Sequence, residues 1–242
     1  MSYLKINQHI SAQFNAELES AMSKSLSMGG LVEQQLNDVF QAIASQDRKL
    51  AEEVVKRDSI INRTEVEISE ACIKVIAKRQ PTASDLRLLI VIIKVISEIE
   101  RIGDAVKHIS DMVTSPLPEQ YQPVIMSLDS LSKRVITLFH DVLDAFARMD
   151  LDAAVRLYPE DNKIDQEYEA IIRQLMTYMM EDPRAVPNIL TAMSCARSLE
   201  RIGDRCQNIC EFIVYFVKGE DVRHNSEEAM SQLLEHKDKN KS

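Results

Sequence analysis

Residues 95–113 read VISEIERIGDAVKHISDMV. Their apolar positions Val95, Ile99, Ile102, Val106, Ile109 and Val113 are separated by alternating steps of four and three. That spacing is the seam of a helix packed on other helices at coiled-coil register. At the centre stands Glu100-Arg101-Ile102-Gly103-Asp104, which recurs unchanged as Glu200-Arg201-Ile202-Gly203-Asp204. Around the second copy Cys195, Leu199, Ile202, Cys206, Ile209, Ile213 and Phe216 repeat the seam.

The likeness continues outward. Ile99 matches Leu199, Ile109 matches Ile209 and Asp111 matches Glu211. On the preceding segments Asp58, Ile61 and Asn62 match Asp161, Ile164 and Asp165. Two segments that align in order make the chain an internal duplication rather than a chance pentapeptide.

Apolar residues keep helical spacing almost throughout, and no sustained period-two alternation exists, so the class is all-α. Five Gly and seven Pro among 242 residues leave few turns, which predicts long helices. Six are expected, over about 9–44, 47–78, 84–113, 124–149, 151–180 and 187–217. Ser84 or Asp85 is expected to cap the third. Pro116, Pro118 and Pro123 form an extended connector, giving two tandem three-helix bundles over 1–115 and 121–217. Pro159 either kinks the fifth helix or marks its true start. The polar tail, 218–242, reads as disorder or one short helix near Met230 to Leu234.

A formal net charge of −9 and a pI near 5.2 repel nucleic acid and anionic membranes over most of the surface. The longest charge-free apolar run in the most hydrophobic stretch, 88–93, falls far short of the roughly 20 residues a bilayer crossing needs. No membrane insertion is expected. The first residues lack the charged start and apolar core of a signal peptide, which points to the cytoplasm. Cys72, Cys195, Cys206 and Cys210 show no Cys-x-x-Cys spacing and read as core residues.

Against the apolar seam, Glu100 and Glu200 fall at position b, and Asp104, Asp204, Asp111 and Glu211 at position f. Both positions are expected to face solvent. Asp58 and Asn62, like Asp161 and Asp165, flank the seam of their own helices. If the second and third helices are antiparallel neighbours, these groups converge on one exposed acidic patch per unit. Carboxylates four apart repel by a few tenths of a kcal/mol, and a cation would offset that. A single such pair is more often plain solvated surface than a metal site. Gly103 and Gly203 each cost a helix about 1 kcal/mol, so close approach there by a ligand or by a tightly packed neighbouring helix is expected.

At these residues the chain resembles the PhoU family of phosphate-transport accessory and regulatory proteins. The likeness runs through 26–34, 58–62, the 79–87 loop, 161–165 and both pentapeptides. It implies paired three-helix bundles with surface metal clusters. Carried over by position, the metal ligands are Asp58, Asn62, Glu100, Asp104, Asp161, Asp165, Glu200 and Asp204. Asn62 replaces a carboxylate by an amide, so the first site is expected to bind metal more weakly. Oxygen-only donors suit Mg, Mn, Ca or Fe ions. The resemblance further implies a non-enzymatic homodimer that represses the phosphate-starvation response. Its partners would be the ATPase subunit of the phosphate ABC transporter and the sensor histidine kinase.

The competing class is a carboxylate-bridged metalloenzyme. That design aims Glu-x-x-His pairs into a bundle core, and no such pair occurs here. A metal-free helical scaffold is the third reading. Direct phosphate sensing is unsupported, because an acidic surface repels phosphate unless a cation intervenes.

Overall fold

The computed structural model describes residues 12–221 and Met230. It contains α1 (Ala12–Ser45), α2 (Arg48–Arg79), α3 (Ala83–Thr114), α4 (Gln122–Arg148), α5 (Leu151–Leu157), α6 (Asp161–Glu181) and α7 (Val186–Lys218). No strand occurs among the described residues. The expected start of the first helix at residue 9 and the tail from 222 onward lie outside the described residues, apart from Met230, which is buried in the core.

Local chemistry sets the helix ends. Asp47 accepts from the N–H groups of Lys49 and Leu50, and Asp150 accepts from that of Ala153. Each aspartate thus satisfies orphan donors in the first turn of its helix. The residues before these caps, Gln46 and Met149, both adopt positive φ (55° and 48°), so the two halves turn their first hairpin alike. The third helix starts earlier than expected: Thr82 is its N-cap, and the Thr82 hydroxyl donates to Asp85 Oδ2 at 3.2 Å. Pro159 lies in a one-turn 3-10 segment, Tyr158–Glu160, between α5 and α6. The proline therefore breaks the predicted fifth helix in two, and α6 begins at Asp161.

Helices α1 to α3 form one bundle and α4 to α7 the other. They meet mainly through α3 and α7. Lys94 of α3 lies over the rings of Phe212 and Tyr215, whereas Asn188, near the start of α7, donates to Ser115 and Pro116 just past the end of α3. The two central helices are therefore antiparallel. Because duplication places matching residues one hundred apart, the two Glu-Arg-Ile-Gly-Asp segments come side by side at mid-height. Side chains from all seven helices join one apolar cluster, so the two bundles share a continuous core. Helices α1 and α4 also touch: a Cβ on Gly29 would stand 2.6 Å from Leu143 Cδ2. All four cysteines are buried, as expected of core residues.

Burial at the α3–α7 contact extends to charge. Glu98 is buried in α3, paired with Arg101 at 3.3 Å and with Arg205 of α7 at 3.3 Å. Asn208 donates to the same carboxylate. At the matching position of the second half stands Ser198, so this polar latch between the bundles is one-sided.

Candidate functional site

The acidic residues gather at two seams, one between α2 and α3 and the other between α6 and α7. The expectation that they stand out in solvent is wrong for several of them. Asp58 is 5% exposed, Asp161 4% and Glu200 9%. Glu100, Asp104, Asp165 and Asp204 are half-buried, and Asn62 is exposed. The matched pair Asp111 and Glu211 splits, with Asp111 exposed and Glu211 buried. The physical reason is that the neighbouring helix of each bundle covers them: Asp58 of α2 lies against Lys107 of α3 and Asp161 of α6 against Gly203 of α7, so covered positions spread beyond a single apolar stripe.

At the first seam the Lys107 ammonium sits between two carboxylates, 2.6 Å from Asp58 Oδ2 and 2.9 Å from Asp104 Oδ1. Asn62 Nδ2 donates to the same Asp58 oxygen at 3.2 Å. The two carboxylates hold the Lys107 ammonium above its ordinary pKa by accepting its hydrogen bonds. Glu100 lies outside this bridge. Burial raises its carboxyl pKa, and Asp104, Glu65 and Asp58 add repulsion. Glu65, which sequence reasoning did not single out, thus belongs to this seam.

The second seam has no counterpart of that lysine, because Gln207 occupies the matching position. Asp161 Oδ1 and Glu200 Oε2 are buried without a hydrogen-bond partner, as is Asp58 Oδ1 in the first seam. The other Glu200 oxygen accepts from Arg197 at 2.9 Å. Burial first, then Asp165, Asp204 and Glu200, push the Asp161 carboxyl up to about 7. Burial and neighbouring acids also raise Glu200 and Asp204. Asp165 and Asp204 complete an acidic group of four that sense one another electrostatically. Among the described residues, however, no three His, Cys, Asp or Glu side chains converge closely enough to enclose a metal ion.

The two glycines differ in the same way. A Cβ on Gly203 would stand 2.5 Å from Asp161 Oδ1 and 3.1 Å from Ile164, whereas one on Gly103 meets only ordinary contacts of 3.5 Å and beyond. Gly203 therefore makes room for the buried carboxylate, while Gly103 could take a methyl at ordinary contact distance.

A model of the PhoU domain matches residues 26–113 and again 128–213. The chain belongs to the PhoU family. It is 60% identical to the phosphate-specific transport system accessory protein PhoU of Serratia marcescens, over 97% of this chain and 96% of that protein. Identity to the protein of the same name from Escherichia coli K12 is 58% over the full length of both. The fold superposes on the crystal structure of PhoU from Pseudomonas aeruginosa with a TM-score of 0.80 at 42% identity, covering 86% of this chain and all of that one. Superposition on the phosphate transport system regulatory protein PhoU of Streptococcus pneumoniae gives 0.78 at 30% identity, over 86% and 99% of the two chains. The names of these PhoU relatives describe accessory and regulatory proteins rather than enzymes. No helix among the described residues is long and apolar enough to cross a membrane.

Proposed function

We propose that this chain is a regulator of phosphate uptake, a cytoplasmic homodimer that links the ATPase subunit of a phosphate ABC transporter to the sensor histidine kinase of the phosphate regulon. In that role it represses the starvation response when phosphate is plentiful. Family membership over both halves is the observation that carries this reading. The test is capture of the transporter ATPase and the kinase by the tagged full chain from membranes grown at high and low phosphate. Recovery of neither at either phosphate level would overturn the reading.

The reading includes a divalent cation at the second acidic seam. Support comes from the unpartnered buried oxygens of Asp161 and Glu200 and from the purely carboxylate donor set, which suits a hard cation such as Mg, Mn, Ca or ferrous iron. Asp161 and Glu200 would supply the buried donors, and the half-buried Asp165 and Asp204 would turn their carboxylates toward them. The first seam fits a cation less well, because Lys107 already neutralises Asp58 and Asp104. Glu100 and Asn62 would complete its donors only after that ammonium withdrew. Nothing in either seam favours the carboxylate-bridged enzyme: the acids line contacts between helices and offer no Glu-x-x-His set facing the core.

A further inference from the structure

The two halves differ along the outer groove where their first two long helices meet. In the first half Glu17, Lys24, Leu31 and Asp38 stand seven apart on α1, and the outer two bridge to α2. Glu17 accepts two hydrogen bonds of 3.1 Å from Arg79, and Asp38 pairs with Arg57. Between these bridges α1 runs for about 32 Å. At the Arg79 end lies a trough of about 460 Å³, floored by Ala16, Ala21, Ile68 and Ala71 and rimmed by Lys24, Lys74 and Lys78. Toward the Arg57 end stand Leu31 and Ile60, each 42% exposed.

The second half supplies the comparison. Duplication sets Arg134 in place of Leu31, Glu167 in place of Thr64 and Lys163 in place of Ile60. Arg134 crosses from α4 to Glu167 of α6 at 2.8 Å, and Lys163 pairs with Glu160, so ions close that groove at mid-length. Its trough is only about 270 Å³, and Ser127, Thr177 and Glu181 replace the three lysines. The first groove has no such bridge: it is open, apolar toward one end and basic toward the other. The acids beside it are already engaged, Glu17 by Arg79, Glu70 by Lys74 and Glu67 by Arg63. Lys78 acts on Glu17 only through space, and neither Lys24 nor Lys78 has a salt bridge among the described residues. In a chain of net charge −9 this is unmatched positive charge beside exposed apolar surface.

We propose that this groove docks an acidic amphipathic helix of a partner protein, laid along α1 and α2 as a fourth helix of the first bundle. Its carboxylates meet Lys24, Lys74 and Lys78, and its apolar end covers Leu31 and Ile60. The inference rests on the adaptor reading above and names where one of the two partners binds. Charge complementarity selects an acidic segment, because the unmatched groups are ammonium ions. Shape selects a helix: the span between the bridging pairs is that of about six helical turns, and a trough with small floor residues and apolar anchors is what an amphipathic helix fills.

Capture of the transporter ATPase and the kinase from membranes by the tagged full chain is repeated with three variants, each checked for native circular dichroism. The combination Lys24→Glu, Lys74→Glu and Lys78→Glu weakens capture of one partner at least about tenfold. Leu31→Arg with Thr64→Glu, which copies the second half's bridge into the first groove, does the same. Arg48→Glu, Lys49→Glu and Arg184→Glu together remove as much positive charge outside the trough and leave capture unchanged. A benzophenone carried on Ser20→Cys, at the exposed wall of the trough, cross-links to an acidic helical segment of that partner, and the buried native cysteines do not compete for the label. Full capture by both groove variants overturns the proposal, as does a cross-link that falls within this chain or on a second copy of it. A wild type that captures neither partner overturns the adaptor reading and this site with it.

Discussion

Lys107 of α3 donates to the buried carboxylate of Asp58 on α2 at 2.6 Å, and the residue that duplication sets in its place in the second half is Gln207. One seam therefore has a lysine that bridges two of its carboxylates, whereas in the other Arg197 pairs with Glu200 alone and Asp161 is left without a cation partner. This difference within a repeated frame organises the stability and the cation chemistry of the protein.

Replacing Lys107 by Gln copies the second seam into the first. Removing one partner of a buried ion pair leaves the other charge uncompensated, and because Lys107 is half-exposed the expected loss is about 1–3 kcal/mol. Thermal melts measure it. Added Mn2+ or Mg2+ is expected to raise the melting temperature of Lys107→Gln more than that of the wild type. An unchanged melting temperature would show that the bridge is ornamental.

Asp161 predicts a pH dependence. An unfolded aspartate titrates near 4, while in the folded chain Asp161 titrates at about 7. Between those values the folded state binds more protons than the unfolded one, so this group's contribution to stability falls as pH rises from about 4 to about 7. Asp161→Asn removes that fall. Urea titrations at pH 8 without divalent cations are expected to find the variant more stable by about 1–2 kcal/mol, and the advantage disappears near pH 4. Equal stability at both pH values contradicts the assignment.

The glycines separate the two halves by a different route. Gly103→Ala meets only ordinary contacts and gains helix propensity, so it stabilises by up to about 1 kcal/mol. Gly203→Ala drives a methyl into the Asp161 carboxylate and Ile164, and a loss of about 1–2 kcal/mol is expected. Calorimetry on the two variants reads opposite signs.

The latch between the bundles rests on Glu98. Glu98→Ala strips Arg205 and Asn208 of their shared buried partner and is expected to cost about 2–3 kcal/mol. Hydrogen exchange should show the loss concentrated along the facing turns of α3 and α7. A uniform effect, or none, would mean that apolar packing alone joins the halves.

Much of the fold was legible because one heptad seam, twice written, needs no tertiary information: Ile99, Ile102, Val106 and Ile109 and their counterparts are all fully or nearly fully buried. The family's pentapeptide was equally plain. Burial of the acids was not. A single seam predicts one covered stripe, but Asp58 and Asp161 are covered at the flank of that stripe by α3 and α7 of their own bundles, and α3 and α7 meet each other along a further face, between helices far apart in the chain. Glu98 illustrates the gap, since nothing near it in sequence announces Arg205. A signal did exist in the comparison of the two halves. Ser97 against Arg197, Glu98 against Ser198, Ala105 against Arg205 and Lys107 against Gln207 are among the positions where the repeat changes charge, and in the structure they form the latch and set the two seams apart.

Calorimetric titration of Mn2+ into the wild type, Asp58→Asn and Asp161→Asn at pH 8 tests the central claim, that the seam without a lysine is the one that takes a cation. Binding retained in Asp58→Asn and weakened at least tenfold in Asp161→Asn is the predicted result. Binding lost in Asp58→Asn and kept in Asp161→Asn contradicts it.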